Sequence, residues 1–323
     1  MKIMKLVVLD SYAAVSTDLS LDCLKELADE MEVYDRTPPE KIISRIGGAE
    51  LVLINKTTLS AGTLAQCPKL RYIGLFATGY NIVDIDYCRA HGIVVANAPS
   101  YSTNAVAQMV FAYLLHFTSM VSWHDGEVHA GKWQNCKDFA FYHPAICELA
   151  GKTIGLIGFG NIGRKVAALA QAFDMEVLVH SRTVHPELEN EHLRFVPLEE
   201  LLQKSDFVSL HCPLFPETTR LIDAQALARM KPTAILINTA RGGIIDEQAV
   251  SDALNSGELA GAAVDVATIE PINADSPLLT AKNCVITPHI AWAAKEARAR
   301  LIGIVHDNLK AFLAGTPTNN VAK

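Results

Sequence analysis

Over the first hundred residues, short apolar runs alternate with helical spacings. The runs cover residues 6–9, 31–34, 51–54, 72–75 and 93–95. Each is almost continuously apolar, the pattern of parallel strands buried on both faces. Between the first two, Leu21, Leu24, Leu27 and Ala28 share one helical face. Together these elements predict a small doubly wound α/β unit. Pro99, Ser100, Tyr101, Ser102, Thr103 and Asn104 then supply turn and helix-cap chemistry. Residues 105–123 contain no Asp, Glu, Lys or Arg and approach the length of a membrane span. Gln108, His116, Thr118 and Ser119 interrupt that stretch, while Val106, Met109, Val110, Tyr113, Leu114 and Phe117 recur at helical spacing, so a buried helix is expected and no membrane partner. A less regular segment with Trp123, Trp133, Phe139, Phe141 and Tyr142 follows. Strand-like runs resume at residues 153–157, 176–180, 206–210, 234–238, 262–266 and 284–287, predicting a second α/β unit of about six strands. A last helical pattern, residues 293–314, stops at Gly315 and Pro317.

Composition acts mainly by exclusion. A chain of 323 residues exceeds one ordinary core, which predicts two domains. Half the residues are hydrophobic and a fifth charged, the balance of a globular protein. A net charge of -7 offers no positive field for nucleic acid, so a small-molecule partner is expected. The seven cysteines are scattered without a CxxC pair, which fits reduced thiols and a cytoplasmic location. The apolar run that follows Lys2 and Lys5 ends at Asp10, too soon for a secretory signal. His124, His129, His143, Cys136 and Cys147 match no ligand spacing, and no metal is expected.

Gly158, Phe159, Gly160, Asn161, Ile162 and Gly163 form a GxGxxG. Alone this is a weak signal. Here a strand runs into the first glycine and a helix leaves from it, with Ile162, Val166, Leu169, Ala170 and Phe173 on one face. In that setting the glycines make the turn, admit a pyrophosphate and allow close helix packing, and the helix N-terminus faces the phosphates. The next strand ends at His180, where a free ribose 2′-hydroxyl is usually met by a carboxylate. The sequence instead reads Ser181, Arg182, Thr183. A guanidinium flanked by hydroxyls suits a 2′-phosphate, favouring NADP over NAD as cofactor. A solvated Arg182 with either cofactor accepted is the alternative.

Ketone reduction needs a proton donor at the oxygen and a cation for the substrate carboxylate. Strand ends beside the cofactor are the place to look. Arg241 follows one strand among small residues, and its fork matches a carboxylate. Glu270 and His289 each follow another strand. If they meet, the carboxylate favours the protonated imidazole and His289 serves as general acid. Spacing alone leaves that meeting open.

Several distant motifs occur together: Ile54-Asn55-Lys56-Thr57, Ala77-Thr78-Gly79-Tyr80-Asn81, residues 101–108, the glycine turn, residues 238–243, residues 265–271 and Pro288-His289-Ile290-Ala291-Trp292. In this order they resemble the D-isomer-specific 2-hydroxyacid dehydrogenases over nearly the whole chain, most closely the glycerate dehydrogenase or hydroxypyruvate reductase branch. The resemblance implies a Rossmann dinucleotide-binding domain (residues 104–290) inserted into a flavodoxin-like substrate domain (1–103 with 291–323), both doubly wound parallel α/β. It implies hydride transfer between NAD(P)H and a small 2-keto acid, hydroxypyruvate or glyoxylate, giving D-glycerate or glycolate. Arg241, Glu270 and His289 then take the catalytic positions, and Asn55, Lys56, Thr78 and Gly79, with Arg241 and His289, meet the substrate. Cys212, Pro213, Thr239 and Asp265 line the nicotinamide side. Family members are commonly homodimers, and the charge-poor helix from Ala105 is a candidate for the interface. Two departures matter. Ser181-Arg182 lacks the acidic residue of NAD-preferring members, and Ala291-Trp292 replaces a glycine-containing sequence found in many relatives. A D-lactate-type or branched 2-keto acid reductase, and a dinucleotide-sensing corepressor-like protein, are the competing readings.

Overall fold

The computed structural model describes residues 4–323, so Lys2 of the N-terminal reading lies outside the described residues. The chain forms two compact units, Met1–Ser102 with Ala293–Lys323, and Thr103–Trp292.

The first unit holds a five-stranded parallel sheet of β1 (Lys5–Val8), β2 (Glu30–Val33), β3 (Leu51–Ile54), β4 (Tyr72–Leu75) and β5 (Val94–Ala96), ordered β2-β1-β3-β4-β5. This is the flavodoxin-like order. Every residue of β3 and β4 is buried, as their unbroken apolar runs predict. β2 departs from that expectation: none of its residues is buried, because it is the sheet's edge and carries Glu30 and Glu32. Short helices α1 (Tyr12–Val15), α2 (Ile42–Ile46), α3 (Ala61–Leu64) and α4 (Ile85–Ala90) occupy the connections. The helical face of Leu21, Leu24 and Leu27 falls in a 3₁₀ segment, Asp22–Leu27, rather than an α-helix. Its strict spacing of three is the repeat of a helix with three residues per turn.

The second unit opens with α5 (Thr103–Ser119) and α6 (Val121–His129). Its parallel strands are β6 (Thr153–Ile157), β7 (Glu176–His180), β8 (Leu193–Phe195), β9 (Phe207–Leu210), β10 (Ile235–Asn238), β11 (Gly261–Val264) and β12 (Cys284–Ile286). They lie in the order β12-β11-β10-β9-β6-β7-β8, the doubly wound dinucleotide-binding arrangement with its switch between β6 and β9. The strand beyond the expected six is β8, only three residues long. Helices α7 (Asn161–Ala172), α8 (Leu198–Lys204), α9 (Ala224–Leu227) and α10 (Glu247–Ser256) connect the strands, and apolar clusters cover both sheet faces. α5 buries Val110, Phe111, Tyr113 and Leu114 in one of these clusters and packs on α7. It ends where Met120 takes a left-handed φ of 50°. Among the described residues no single helix is long and apolar enough to cross a membrane; α5 and α6 together are bent by 52°.

After this unit the chain returns to the first one through α11 (Lys295–Leu313), which packs on β4 and β5. There the buried Arg298 binds both carboxylate oxygens of Asp18, at 2.7 and 2.8 Å.

Candidate active site

The three glycines of the β6–α7 turn are needed for different reasons. Gly158 has φ +101°, and a Cβ there would lie 2.6 Å from the Cys212 nitrogen. A Cβ on Gly163 would lie 2.4 Å from the Gly158 carbonyl oxygen, so this glycine lets helix and turn touch. A Cβ on Gly160 would meet nothing within 4 Å. Open space over Gly160, which caps α7 without a side chain, leaves the helix's first N–H groups facing outward as an anion cradle. Asn161 is exposed there and Ile162 packs inward. In-register pairing of Ile157 with His180 and with Leu210 brings the ends of β7 and β9 beside this turn. Ser181 is partly buried after β7, whereas Arg182 and Thr183 are exposed. After β9, Cys212 is partly buried, and burial pushes its thiol up, so it stays protonated at neutral pH. The Pro213 carbonyl accepts a hydrogen bond from Thr218 at 2.7 Å. After β10, the Thr239 hydroxyl oxygen is buried without a partner. An outward N–H cradle, an unscreened guanidinium at the ribose end and an orphaned hydroxyl at the other end fit a dinucleotide.

Arg241, Glu270 and His289 follow β10, β11 and β12, three adjacent parallel strands, so they gather along one edge of the second unit's sheet. His289 Nδ1 and Glu270 Oε2 are 2.7 Å apart, the meeting that sequence spacing left open. Ala267 donates its N–H to Glu270 Oε1 at 3.3 Å. Asn238 folds the Arg241 turn by donating to the Arg241 carbonyl at 2.9 Å and accepting from the Ala240 N–H at 3.0 Å. The Arg241 side chain is exposed, its Nη1 resting on the Ala240 carbonyl. A Cβ on Gly242 would lie 2.0 Å from the Ala267 carbonyl carbon. That close approach holds the Arg241 turn directly against the loop carrying Glu270.

Asp265 has a function the sequence did not reveal. It is 1% exposed, and its carboxylate accepts from the Thr287 hydroxyl at 2.5 Å and from the Ile290 and Ala291 N–H groups, both at 2.8 Å. These donors bracket His289, whose φ of +55° is unusual for a non-glycine residue. Tyr113 on α5 extends the network by hydrogen bonding to Thr287.

In the first unit, Asp10 organises the turn after β3. Its carboxylate accepts from the N–H groups of Asn55, Lys56 and Thr57 at 2.7, 2.5 and 2.7 Å. Burial pushes its carboxyl up, and those three donors offset only part of that rise. Asn55 is buried, donates to the Phe76 carbonyl at 2.5 Å, and keeps its own Oδ1 without a partner. Thr78 donates to Ala98 at 2.8 Å and, with Gly79, follows β4. Asp10 stands just past the first apolar run, and that position is the one sequence signal it offers.

Residues 111–291 match the family profile described as D-isomer specific 2-hydroxyacid dehydrogenase, NAD binding domain. A hydroxypyruvate reductase of Blautia hydrogenotrophica is 47% identical over 323 residues, covering 99% of this chain and all of that one. A glycerate dehydrogenase of Methylorubrum extorquens is 40% identical over 295 residues, covering 90% and 92% of the two chains. The solved structure of an acyclic imino acid reductase with NADPH and D-Arg superposes with a TM-score of 0.86 at 32% identity, covering 98% of this chain and 100% of that one.

Proposed function

The chain belongs to the D-isomer-specific 2-hydroxyacid dehydrogenase family, and from that premise we propose how its side chains carry out the reduction. It is an NAD(P)-dependent D-2-hydroxyacid dehydrogenase that reduces 2-keto acids such as hydroxypyruvate and glyoxylate. The bound reduced nicotinamide supplies the hydride. His289 delivers the proton to the ketone oxygen from Nε2, because Nδ1 is committed to Glu270. Glu270 fixes the ring's tautomer and stabilises its charged form. Arg241 holds the substrate carboxylate with its planar fork and polarises the carbonyl. Asn55, Lys56, Thr78 and Gly79 are carried by the first unit, the substrate domain, and the second unit is the dinucleotide domain.

The His289–Glu270 contact is the observation that carries this reading. Within it, hydroxypyruvate is the preferred substrate and NADPH the preferred reductant. The exposed Arg182, without an ion pair among the described residues, supports NADPH, as does the lack of a carboxylate at Ser181. The protein acts as a homodimer in the cytoplasm. A panel of keto acids assayed with NADPH and NADH tests the assignment, with the highest kcat/KM expected for hydroxypyruvate and NADPH. Pyruvate outperforming both hydroxypyruvate and glyoxylate would overturn it.

A further inference from the structure

The chemistry above leaves Arg164 unused. It sits in the first turn of α7, exposed, and its Nη2 donates to His185 Nε2 at 3.2 Å while its Nε donates to the Phe159 carbonyl at 3.3 Å. A guanidinium has donors only, so His185 Nε2 must carry the ring's lone pair. Nδ1 then bears the proton and donates it to Glu187 Oε1 at 3.0 Å. A neutral imidazole therefore tethers a guanidinium to the loop that begins with Ser181 and Arg182. That loop follows the C-terminal end of β7, where the adenosine ribose lies in this arrangement. Among the described residues no carboxylate lies within ion-pair distance of either arginine, although its own backbone N–H, His185 and Arg164 together hold the Glu187 carboxyl below its usual range.

We propose that Arg164, held by His185, is a second guanidinium that grips the ribose 2′-phosphate of NADP opposite Arg182. This rests on the reading of Arg182 as a phosphate contact. A carboxylate partner would orient Arg164 but also neutralise it. An imidazole nitrogen orients it without a direct ion pair, and Glu187, on the far side of the ring, acts on it only through space. Two forks share the three oxygens of a phosphate dianion, whereas a ribose hydroxyl gives them no charge to bind. Arg164 thus serves NADPH and not NADH, and His185 is its positioning residue.

The test is direct binding of NADPH and NADH, by fluorescence titration, and of 2′,5′-ADP, by calorimetry. Arg164→Gln should weaken NADPH and 2′,5′-ADP about tenfold and leave NADH within about twofold, the loss of a charge-assisted contact. His185→Leu should weaken NADPH selectively, and His185→Gln, whose amide oxygen still accepts from Arg164, should recover the affinity. A wild-type chain that binds NADPH no tighter than NADH would overturn both this inference and the Arg182 reading. If Arg182→Gln lowers the preference and Arg164→Gln does not, the assignment of Arg164 alone fails. Equal loss of both dinucleotides in Arg164→Gln would mark a structural role and overturn it as well.

Discussion

At the level of single residues, the division of labour between the two ring nitrogens of His289 sets what substitution should do. With Nδ1 spent on Glu270 at 2.7 Å, only Nε2 is left to reach a carbonyl oxygen. His289→Ala should lower kcat about 10²–10⁴-fold, the range for a positioned general acid, with dinucleotide affinity nearly unchanged. Glu270→Gln keeps an acceptor for Nδ1 but removes the charge, so its loss in kcat should be smaller. Stopped-flow turnover beside equilibrium dinucleotide titration separates the two effects, and parallel loss of turnover and binding in His289→Ala would count against the acid role. The sequence made these residues candidates through their type and their position after strands. It could not make them neighbours, because 19 residues separate Glu270 from His289 along the chain.

Secondary-structure elements decide whether those side chains stay in place. The Arg241 turn and the Glu270 loop touch backbone to backbone at Gly242, where a Cβ would fall 2.0 Å from the Ala267 carbonyl carbon. Neither partner there is a flexible side chain, so Gly242→Ala must push the loop away. It should cut kcat while leaving dinucleotide binding largely intact, and a crystal structure of the variant should show residues 267–270 displaced. Wild-type activity would mean the loop position is immaterial. Much of this scale was legible in advance. The β6 glycine turn obeys local rules of conformation and packing, and the unbroken apolar runs of β3 and β4 marked central strands. β8, three residues with Arg194 at its centre, carries too little pattern to detect. β2 was read as buried on both faces because its apolar neighbours mask an edge position that only the sheet order defines. The Tyr113–Thr287–Asp265 network was illegible for another reason. It joins α5 to the turn after β12 across 174 residues, and each member alone looks like an ordinary core or strand-end residue.

The whole molecule responds to His211, which lies just past β9 and shares a 3.0 Å hydrogen bond between Nε2 and the Ser209 hydroxyl. Burial pushes its imidazole down to about 4. The folded chain therefore resists a proton that the unfolded chain accepts from about pH 6.5 downward. Its contribution to stability is complete above that point and is lost as the pH falls toward 4, at about 1.4 kcal/mol for each unit between the two values. His211→Gln should flatten the fall in Tm between pH 6.5 and 4, and an unaltered slope would show that other groups govern it. Assembly is the other property at this scale. The charge-poor α5 spends its apolar face inside its own unit. Val121, Trp133, Phe139 and Tyr142 are 69%, 55%, 94% and 73% exposed, on α6 and the segment after it. That segment is an ordered ridge: Trp133 donates to the Phe139 carbonyl at 2.9 Å, and the Lys132 ammonium lies 4.8 and 5.0 Å from the Trp123 and Phe141 rings. A built ridge that shows large apolar side chains to solvent is the signature of an interaction surface, and the homodimer proposed above would seat a second copy of this chain on it. Phe139→Asp with Tyr142→Asp alters only side chains that face outward, so the double variant should melt near the wild-type temperature yet sediment as a monomer where the wild type sediments as a dimer. A variant that still sediments as a dimer would assign the interface to another face, and a monomeric wild type would remove the homodimer itself.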